Sequence, residues 1–334
     1  DVAPLSIGNA LVYVQDKGQA IHDLAYSYVD DAFGGEDLSL FANHLVEGYE
    51  VVDWCYQCVP YGIIWVVRSD GALLGLTYNQ KQKVIAWHQH DIGGDVEACC
   101  CVSEGNEDVV YLLVKRTINS ATVRYIERLA SRQLDSIEDA FFVDCGLSYD
   151  GWNTGSTTIT LSGGTTYGYG EEIDITASAA LFAYPATTDV GDEIVYVDDG
   201  IRYAIRITST SSTTAAKGIP SKTIPAAYRS ARADWGFARS TMAGLSHLEG
   251  QTVAILNDGN VEPQNTVASG SVTLSVPGVV VHVGLPIVAD METLDLSISG
   301  TETIRDKNKT VNKVGWQVEN SRGLWFNQDF TNMV

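Results

Sequence analysis

The fold of this chain is indicated by residues 65–90, WVVRSDGALLGLTYNQKQKVIAWHQH, whose pattern predicts three short antiparallel strands. Apolar residues alternate with their neighbours, so that Trp65 and Val67 share one face of the first strand. Leu74 and Leu76 likewise share one face of the second strand. A meander of this kind is not stable alone, because its apolar face must be covered by another sheet.

The turn between the first two strands contains Asp70-Gly71, a residue pair that favours a type I′ turn, since both central residues of that turn take positive φ. The same order of strand, turn and strand occurs on both sides of this stretch. Gly18 lies 53 residues before Gly71, and Val114 lies 47 residues after Val67. A four-stranded sheet that recurs at intervals of about 40–50 residues is typical of the blades of a β-propeller.

Three such units are too few to close a propeller, which takes about four to eight blades. Either further blades precede Asp1 in a longer parent protein, or several chains share one ring. We expect the former, because the chain begins without an initiator Met and enters at once on a strand-like run. The sequence therefore predicts a partial β-propeller.

Composition places the whole chain in the all-β class. Of its 334 residues, 45% are hydrophobic and 31 are glycine, with frequent runs of Thr, Val and Tyr. This length allows two or three domains. No apolar run approaches the ~20 residues of a membrane helix, so we expect no membrane anchor.

Changes in composition divide the chain into three expected modules. Residues 1–150 hold the propeller blades, and residues 151–225, rich in Thr, Ser and Gly, form an inserted small β-domain. A linker at 217–220 is expected to end this insert, because Gly and Pro mark loops. Residues 226–334 form a C-terminal β-sandwich-like or barrel-like module, with further strands between 292 and 325.

Charge is distributed unevenly over a chain whose formal net charge is −21. Residues 1–150 carry 23 acidic and 9 basic residues, a net of −14, whereas residues 151–225 and 226–334 carry −4 and −3. Tight binding of nucleic acid needs a basic stripe, and none is visible. Two interpretations stay open: a solvated acidic surface that aids solubility, or a wall that must not hold a polyanion.

One group of residues has the side chains of a metal site: Cys55 and Cys58, with His88 and His90. A single Cys-x-x-Cys without a second pair is a weak signal, so we expect core cysteines, packed or surface histidines, and no metal or other cofactor. The six cysteines do not form a disulfide pattern, because consecutive residues 99–101 alternate faces of a strand. We expect all six to be reduced and buried.

No catalytic motif is present, so we expect no enzyme and no catalytic or cofactor-binding residues. Ser246-His247 lacks the G-x-S-x-G context of a nucleophile elbow. Neither a phosphate-binding loop nor a dinucleotide fingerprint occurs. Adjacent acidic residues such as Asp198-Asp199 lie in turns or point to opposite faces of a strand, which does not suit glycosidase chemistry.

Several short motifs follow one another in a defined order along nearly the whole chain. They are Asp37-Leu38-Ser39, His44-Leu45, Pro60-Tyr61-Gly62-Ile63-Ile64-Trp65, Arg68-Ser69-Asp70-Gly71-Ala72-Leu73, Leu76-Thr77-Tyr78, Ala86-Trp87-His88-Gln89-His90, Arg124-Tyr125-Ile126-Glu127-Arg128, Asp144-Cys145-Gly146-Leu147-Ser148-Tyr149-Asp150-Gly151, Gly244-Leu245-Ser246-His247-Leu248-Glu249-Gly250 and Val283-Gly284-Leu285-Pro286. In this order the chain resembles the tail nozzle proteins of short-tailed bacteriophages, also called tail tubular protein B or head-to-tail stabilisation proteins. The resemblance is weakest in the 152–225 insert. One departure is the turn at Asn119-Ser120, where such proteins often have Asn-Gly.

The resemblance implies a structural protein of the virion, made in the bacterial cytoplasm and located in the phage tail. This chain would correspond to a C-terminal portion of it. Copies would assemble into a ring, expected to be a hexamer, below the portal. The ring would contact the tail adaptor and tail fibre proteins and form the channel through which the genome leaves, with DNA passing but not specifically bound. No catalytic residue comes with this family.

Two other functions are open on the sequence. A β-propeller carbohydrate-binding or hydrolytic protein would present aromatic platforms, for which Trp65, Trp87 and Trp152 are the candidates, although core packing is the expectation for all three. The other alternative is a metal-binding module built on Cys55 and Cys58 together with the two histidines.

Overall fold

The computed structural model describes residues 2–16, 20–28, 31–292, 313–318 and 324–326. As expected, the protein is all-β. Within these described ranges, its antiparallel strands form five sheets, none of which closes into a barrel. Residues Asp1–Ile287 form one compact unit that contains all five sheets, and residues Val288–Val334 form a second unit.

The second unit contains no helix or strand in its described residues. Most of the strands expected between 292 and 325 fall on residues outside the described ranges. In residues 313–318 and 324–326, which are described, the expected strands are not found.

The first sheet is a four-stranded meander in which each strand pairs with the next along the chain. Its strands are β1 (Leu5–Ile7), β2 (Ala10–Val14), β3 (Ile21–Ser27) and β4 (Ala32–Gly34). Alternation decides which face is inward, because Val12 and Ile21 are fully buried while Leu11 and Leu24 are exposed.

The second sheet is the predicted meander with one more strand in front. Its strands are β5 (Val51–Gln57), β6 (Ile63–Arg68), β7 (Leu73–Asn79) and β8 (Val84–His90). Every residue of β6 is buried. Ile64 and Val66 pack with the first sheet, whereas Trp65 and Val67 pack with the third. Both faces of the meander are therefore covered, although the sequence predicted cover for one.

The third sheet has three strands in the order β11-β10-β9. They are β9 (Asp95–Glu104), β10 (Glu107–Ile118) and β11 (Ala121–Arg128). Val110, Leu112 and Val114 of β10 face the second sheet. The first three sheets thus stack face to face in chain order, with a hydrophobic core between each neighbouring pair.

The turn at Asp70-Gly71 differs from the prediction, because only Gly71 has positive φ, at 87°. Its N–H donates to the Arg68 carbonyl at 2.8 Å, which gives a turn followed by a glycine in the left-handed region. The Asp70 carboxylate is held by the Arg68 guanidinium at 2.6–2.8 Å. Asn119 and Ser120 instead both have positive φ, 46° and 64°, and form a two-residue type I′ turn without glycine.

A short helix follows the first sheet, where the helical spacing of Leu38, Phe41, Ala42 and Leu45 predicts one. A 3₁₀ turn at Leu40–Ala42 leads into the one-turn helix α1 (Asn43–Val46). The sequence also favours Asp37 as its N-cap, but Ser39 and Ala42 occupy the N-cap positions of the 3₁₀ turn and of α1. The Asp37 carboxylate accepts hydrogen bonds from the backbone N–H and the hydroxyl of Ser39, the residue directly before the helical segment.

The remaining strands run from residue 143 to residue 286. They are β12 (Val143–Asp150), β13 (Ile159–Ser162), β14 (Ile173–Ala177), β15 (Glu193–Asp198), β16 (Ile201–Ser212), β17 (Ala215–Pro220), β18 (Gly236–Ala243), β19 (Thr252–Asn257), β20 (Asn260–Thr266), β21 (Ser271–Gly278) and β22 (Val280–Pro286). The fourth sheet has the order β12-β22-β19-β20, and the fifth has the order β13-β14-β17-β16-β15-β18-β21. Further 3₁₀ turns lie at Gln80–Gln82, Ile137–Asp139, Ala226–Tyr228 and Ser246–Leu248.

These pairings cross the module boundaries expected after residues 150 and 225. Strand β12, at the end of the first expected module, pairs with β22. The strands of the insert share one sheet with β18 and β21 of the last module. The linker expected at 217–220 was wrong, because these residues belong to β17, between β14 and β16. Gly218 is needed there, since a Cβ would lie 2.9 Å from the Arg206 carbonyl oxygen.

Candidate functional site

The four predicted metal-ligand candidates do not converge. Cys55, Trp65, Gly75 and His88 form one cross-strand row, so two strands separate Cys55 from His88. Cys58 is exposed beyond the end of β5. Across the described part of the chain, no group of three or more His, Cys, Asp or Glu side chains could hold a metal ion.

All six cysteines are free, but they are not all buried as expected. Cys55 and Cys99 are buried, whereas Cys58 and Cys100 are exposed. Alternation along β9 explains the difference between neighbours, because Cys99 points into the core and Cys100 points out of it. Burial raises the pKa of Cys101 to about 11, which keeps that thiol protonated at neutral pH.

His88 and His90 pack together against Trp65, with their ring centroids 5.0 Å apart. Gly75 leaves the space for one ring, because a Cβ there would lie 2.2 Å from Nε2 of His88. Nε2 of His90 is buried without a hydrogen-bond partner among the described residues. Burial, followed by the charges of His88 and Arg132, lowers the pKa of His90 from 6.5 to about 4.

His90 is expected to make the fold sensitive to acid. The unfolded chain protonates this imidazole near pH 6.5, and the folded chain protonates it only near pH 4. The free energy of unfolding is therefore independent of the titration of His90 above pH 6.5, and it decreases as the pH falls from 6.5 to about 4. We expect His90→Phe to remove about 3 kcal/mol of the pH-dependent change in unfolding free energy over this range. Urea denaturation at a series of pH values measures it.

The matched control for this experiment is His44→Phe, because His44 is exposed on α1. This variant should keep the pH dependence of the parent protein. Equal slopes for the parent and His90→Phe would show that the pKa of His90 is the same in the folded and the unfolded chain.

The three tryptophans considered as carbohydrate platforms serve packing instead. Trp65 is 1% exposed, and its indole N–H donates to Oε1 of Gln57 at 3.0 Å. Trp87 is half-buried and donates to the Leu38 carbonyl at 2.7 Å. Trp152, also half-buried, packs beside Val279 and Val280. The burial of Trp65 leaves no open indole face of the kind a sugar ring stacks on.

The adjacent Ser246-His247 does not form a catalytic pair. His247 hydrogen-bonds through Nε2 to the Cys145 carbonyl at 2.9 Å. A different serine and histidine are brought together: Oγ of Ser148 lies 2.7 Å from Nδ1 of His282. These two residues are 134 positions apart and meet because they are opposite each other in the β12–β22 pairing. No local motif could have revealed them.

This serine–histidine pair lines a surface cleft of about 350 Å³. The cleft is bounded by the end of β11, the segment 130–141 and strand β12. His282 is 8% exposed, whereas Ser148 is open to solvent. The cleft therefore presents the Ser148 hydroxyl at an accessible position, while its hydrogen-bond partner, the His282 imidazole, is shielded from water.

The outer face of the first sheet is apolar and aromatic. Leu11 lies opposite Leu24, and Tyr26 contacts Phe33 edge-on with ring centroids 5.4 Å apart. Phe33 is 73% exposed. Exposed apolar patches of this kind are typical of surfaces that contact another protein.

The outer face of the third sheet is charged instead. It carries three cross-strand ion pairs, with N–O distances of 2.7–3.3 Å: Lys115–Asp95, Arg124–Glu97 and Arg128–Glu104. Exposed pairs of this kind contribute little to stability, but they suit contact with water. The two ends of the three-sheet stack therefore differ in polarity.

The described residues include no helix long and apolar enough to cross a membrane. In comparisons with known proteins, no family model matches this chain, and no curated protein matches it either.

Proposed function

We propose that this chain is a structural protein of a bacteriophage tail, corresponding to a C-terminal portion of a nozzle protein of short-tailed phages. The observation that carries the proposal is the stack of three antiparallel sheets in chain order, each covered by the next. Sheets that follow one another in sequence and pack face to face are the arrangement found in the blades of a β-propeller. The ordered motifs of the sequence give the proposal its family.

The first three sheets are proposed to be blades of a larger propeller. The apolar outer face of the first sheet supports this, because each buried face in the stack is covered by a neighbouring sheet. A preceding blade would bury Leu11, Leu24 and Phe33 in the same way. The outer face of the third sheet presents ion pairs, so its contacts are proposed to be polar, and the apolar packing surface of the stack is the first sheet.

Copies of the parent protein are proposed to form a ring, expected to be a hexamer, that contacts adaptor and fibre proteins. Residues 1–150 carry a net charge of −14 and are proposed to line the channel. An acidic wall repels phosphates within a Debye length of roughly 8–10 Å, so DNA passes without binding. This role places the protein in the virion and requires no catalytic residue and no cofactor.

The test is the position of this chain in an intact particle, determined by electron cryomicroscopy. The expected result is a ring of copies at the distal end of the tail, with carboxylates of residues 1–150 facing the channel. A particle in which this chain is absent from the tail contradicts the proposed function. Carboxylates on the outer surface contradict the proposed lining.

The apolar face of the first sheet gives a second prediction. Leu24→Lys combined with Phe33→Lys should change the stability of the chain by less than about 0.5 kcal/mol, because both side chains are exposed. The same variant of the parent protein should fail to enter particles, because it places two charges where a blade packs. Denaturation of the chain and quantification of the protein in purified particles measure the two effects.

The control for this variant is Ile126→Lys, since Ile126 is 79% exposed on the charged outer face of the third sheet. It should enter particles normally. Equal incorporation of both variants would show that the apolar face is not a packing surface.

A further inference from the structure

We propose that Ser148 and His282 form a nucleophile and general base for the hydrolysis of small carboxylic esters. The inference rests on the cleft geometry and is independent of the structural role proposed above. It departs from the expectation that no residue of this chain performs chemistry.

The first step of the argument is the tautomer of His282. Nε2 of this ring lies 2.8 Å from the carbonyl oxygen of Glu138, which can only accept a hydrogen bond. Nε2 of the neutral ring therefore carries the proton, and Nδ1 has a free electron pair. Nδ1 is the atom that lies 2.7 Å from Oγ of Ser148, so the hydroxyl donates to it. This is the tautomer in which Nδ1 can act as a general base.

The second step is the support of the imidazole. Glu138 belongs to the 3₁₀ turn Ile137–Asp139, whose N-terminus is held by a capping box. In that box Ser136 accepts from the backbone N–H of Glu138, and Asp139 accepts from that of Ser136. Phe141 contacts the ring edge-on, with centroids 5.5 Å apart. The base is thus oriented by a third group, as in known nucleophile–base pairs.

The third step is the placement of the nucleophile. The β12–β22 pairing shifts register between Asp144 and Leu147, and Cys145 has a positive φ of 50°. Bulges of this kind change the direction of side chains and are frequent next to active sites. Gly146 is required at the bulge, because a Cβ there would lie 2.6 Å from the Val283 carbonyl oxygen.

The fourth step is the space for a substrate. The cleft of about 350 Å³ is near the lower limit of small-molecule sites, which favours a short acyl group. Leu134 and Phe141 supply apolar lining for that group. Arg128, whose guanidinium also pairs with Glu104, lines the same cleft and is the cationic side chain proposed to face the oxyanion that forms during acyl transfer.

The reaction proceeds in two halves. Oγ of Ser148 bonds to the ester carbonyl carbon and passes its proton to Nδ1 of His282. The C–O bond of the ester breaks, and Nδ1 returns the proton to the leaving alcohol. Water, deprotonated by the same Nδ1, then attacks the acyl-serine and releases the carboxylic acid and the Ser148 hydroxyl. The two half-reactions together hydrolyse one ester with one water molecule, and they require no metal, oxidant or cofactor.

The experiment treats the folded chain with a fluorophosphonate probe, which bonds to an activated serine and loses fluoride. We expect a label on Ser148, identified by peptide mass, and none on Ser148→Ala. His282→Gln should slow labelling by about 100-fold or more, which is the contribution of a general base. p-Nitrophenyl acetate hydrolysis should fall in parallel in both variants.

The matched control is Ser103, an exposed serine whose hydroxyl donates to Asp108 at 2.6 Å without a histidine. It should stay unlabelled. The proposal is overturned if the folded parent protein is not labelled on Ser148, or if His282→Gln is labelled at the parent rate. If His282→Gln does not fold, the labelling of the folded parent is compared with that of the parent unfolded in urea. Equal labelling of Ser148 in the two states overturns the proposal. Labelling confined to the folded protein supports it.

Discussion

Trp65→Ala is expected to destabilise the protein by about 3–5 kcal/mol. Trp65 is 1% exposed between the second and third sheets, where it packs with Val110 and Leu112. Its removal leaves a cavity, and it also deprives Gln57 of the indole N–H donor at 3.0 Å. Urea denaturation followed by far-UV circular dichroism measures the loss.

Two variants calibrate this result. Trp65→Phe keeps most of the volume but leaves Oε1 of Gln57 without its donor, so we expect a loss of about 1–3 kcal/mol. Ile126→Ala, at a side chain that is 79% exposed, should cost less than about 0.5 kcal/mol. A loss below about 1 kcal/mol for Trp65→Ala would show that the second and third sheets are not held together by this core.

Arg116→Met is expected to cost about 3–5 kcal/mol, because it leaves a charge without its partner in a buried setting. Arg116 is 2% exposed and donates to Glu127 at 2.7 Å and to the Ile92 carbonyl at 2.6 Å. Methionine fills similar volume, so the loss reports mainly on the carboxylate of Glu127. Denaturant unfolding at neutral pH measures it.

The double variant Arg116→Met with Glu127→Gln should recover at least half of that loss, since it removes the unpaired charge. The control is Arg124→Met, which breaks the exposed pair with Glu97 and should cost less than about 1 kcal/mol. If Arg116→Met and Arg124→Met cost the same, burial does not govern the Arg116–Glu127 pair.

Turn chemistry shows where local sequence is sufficient and where it is not. Asp199-Gly200 and Asp70-Gly71 are the same residue pair, yet only Asp199-Gly200 has two positive φ values. The first pair joins strands in direct register. In the second, the Arg68 guanidinium holds the Asp70 carboxylate. This side-chain contact is not part of the turn signal, so the residue pair alone could not distinguish the two turns.

Strand β17 shows the same limit in another form. Lys217-Gly218-Ile219-Pro220 contains two residues that usually mark a loop, and the sequence therefore predicted a linker. In the fold, Gly218 allows β16 and β17 to approach closely, and Pro220 ends the strand. A glycine required by close packing and a glycine required by a turn look the same in sequence.

By itself the sequence determined that the protein is all-β, where the strands of residues 65–90 lie, and that the cysteines remain unpaired. These properties depend on the alternation and spacing of neighbouring residues, which are local. Only the tertiary structure decided that both faces of the second sheet are buried, that β12 pairs with β22, and that Ser148 meets His282. Such contacts join residues that are far apart along the chain, and their energy depends on the packing of whole sheets, which no local pattern contains.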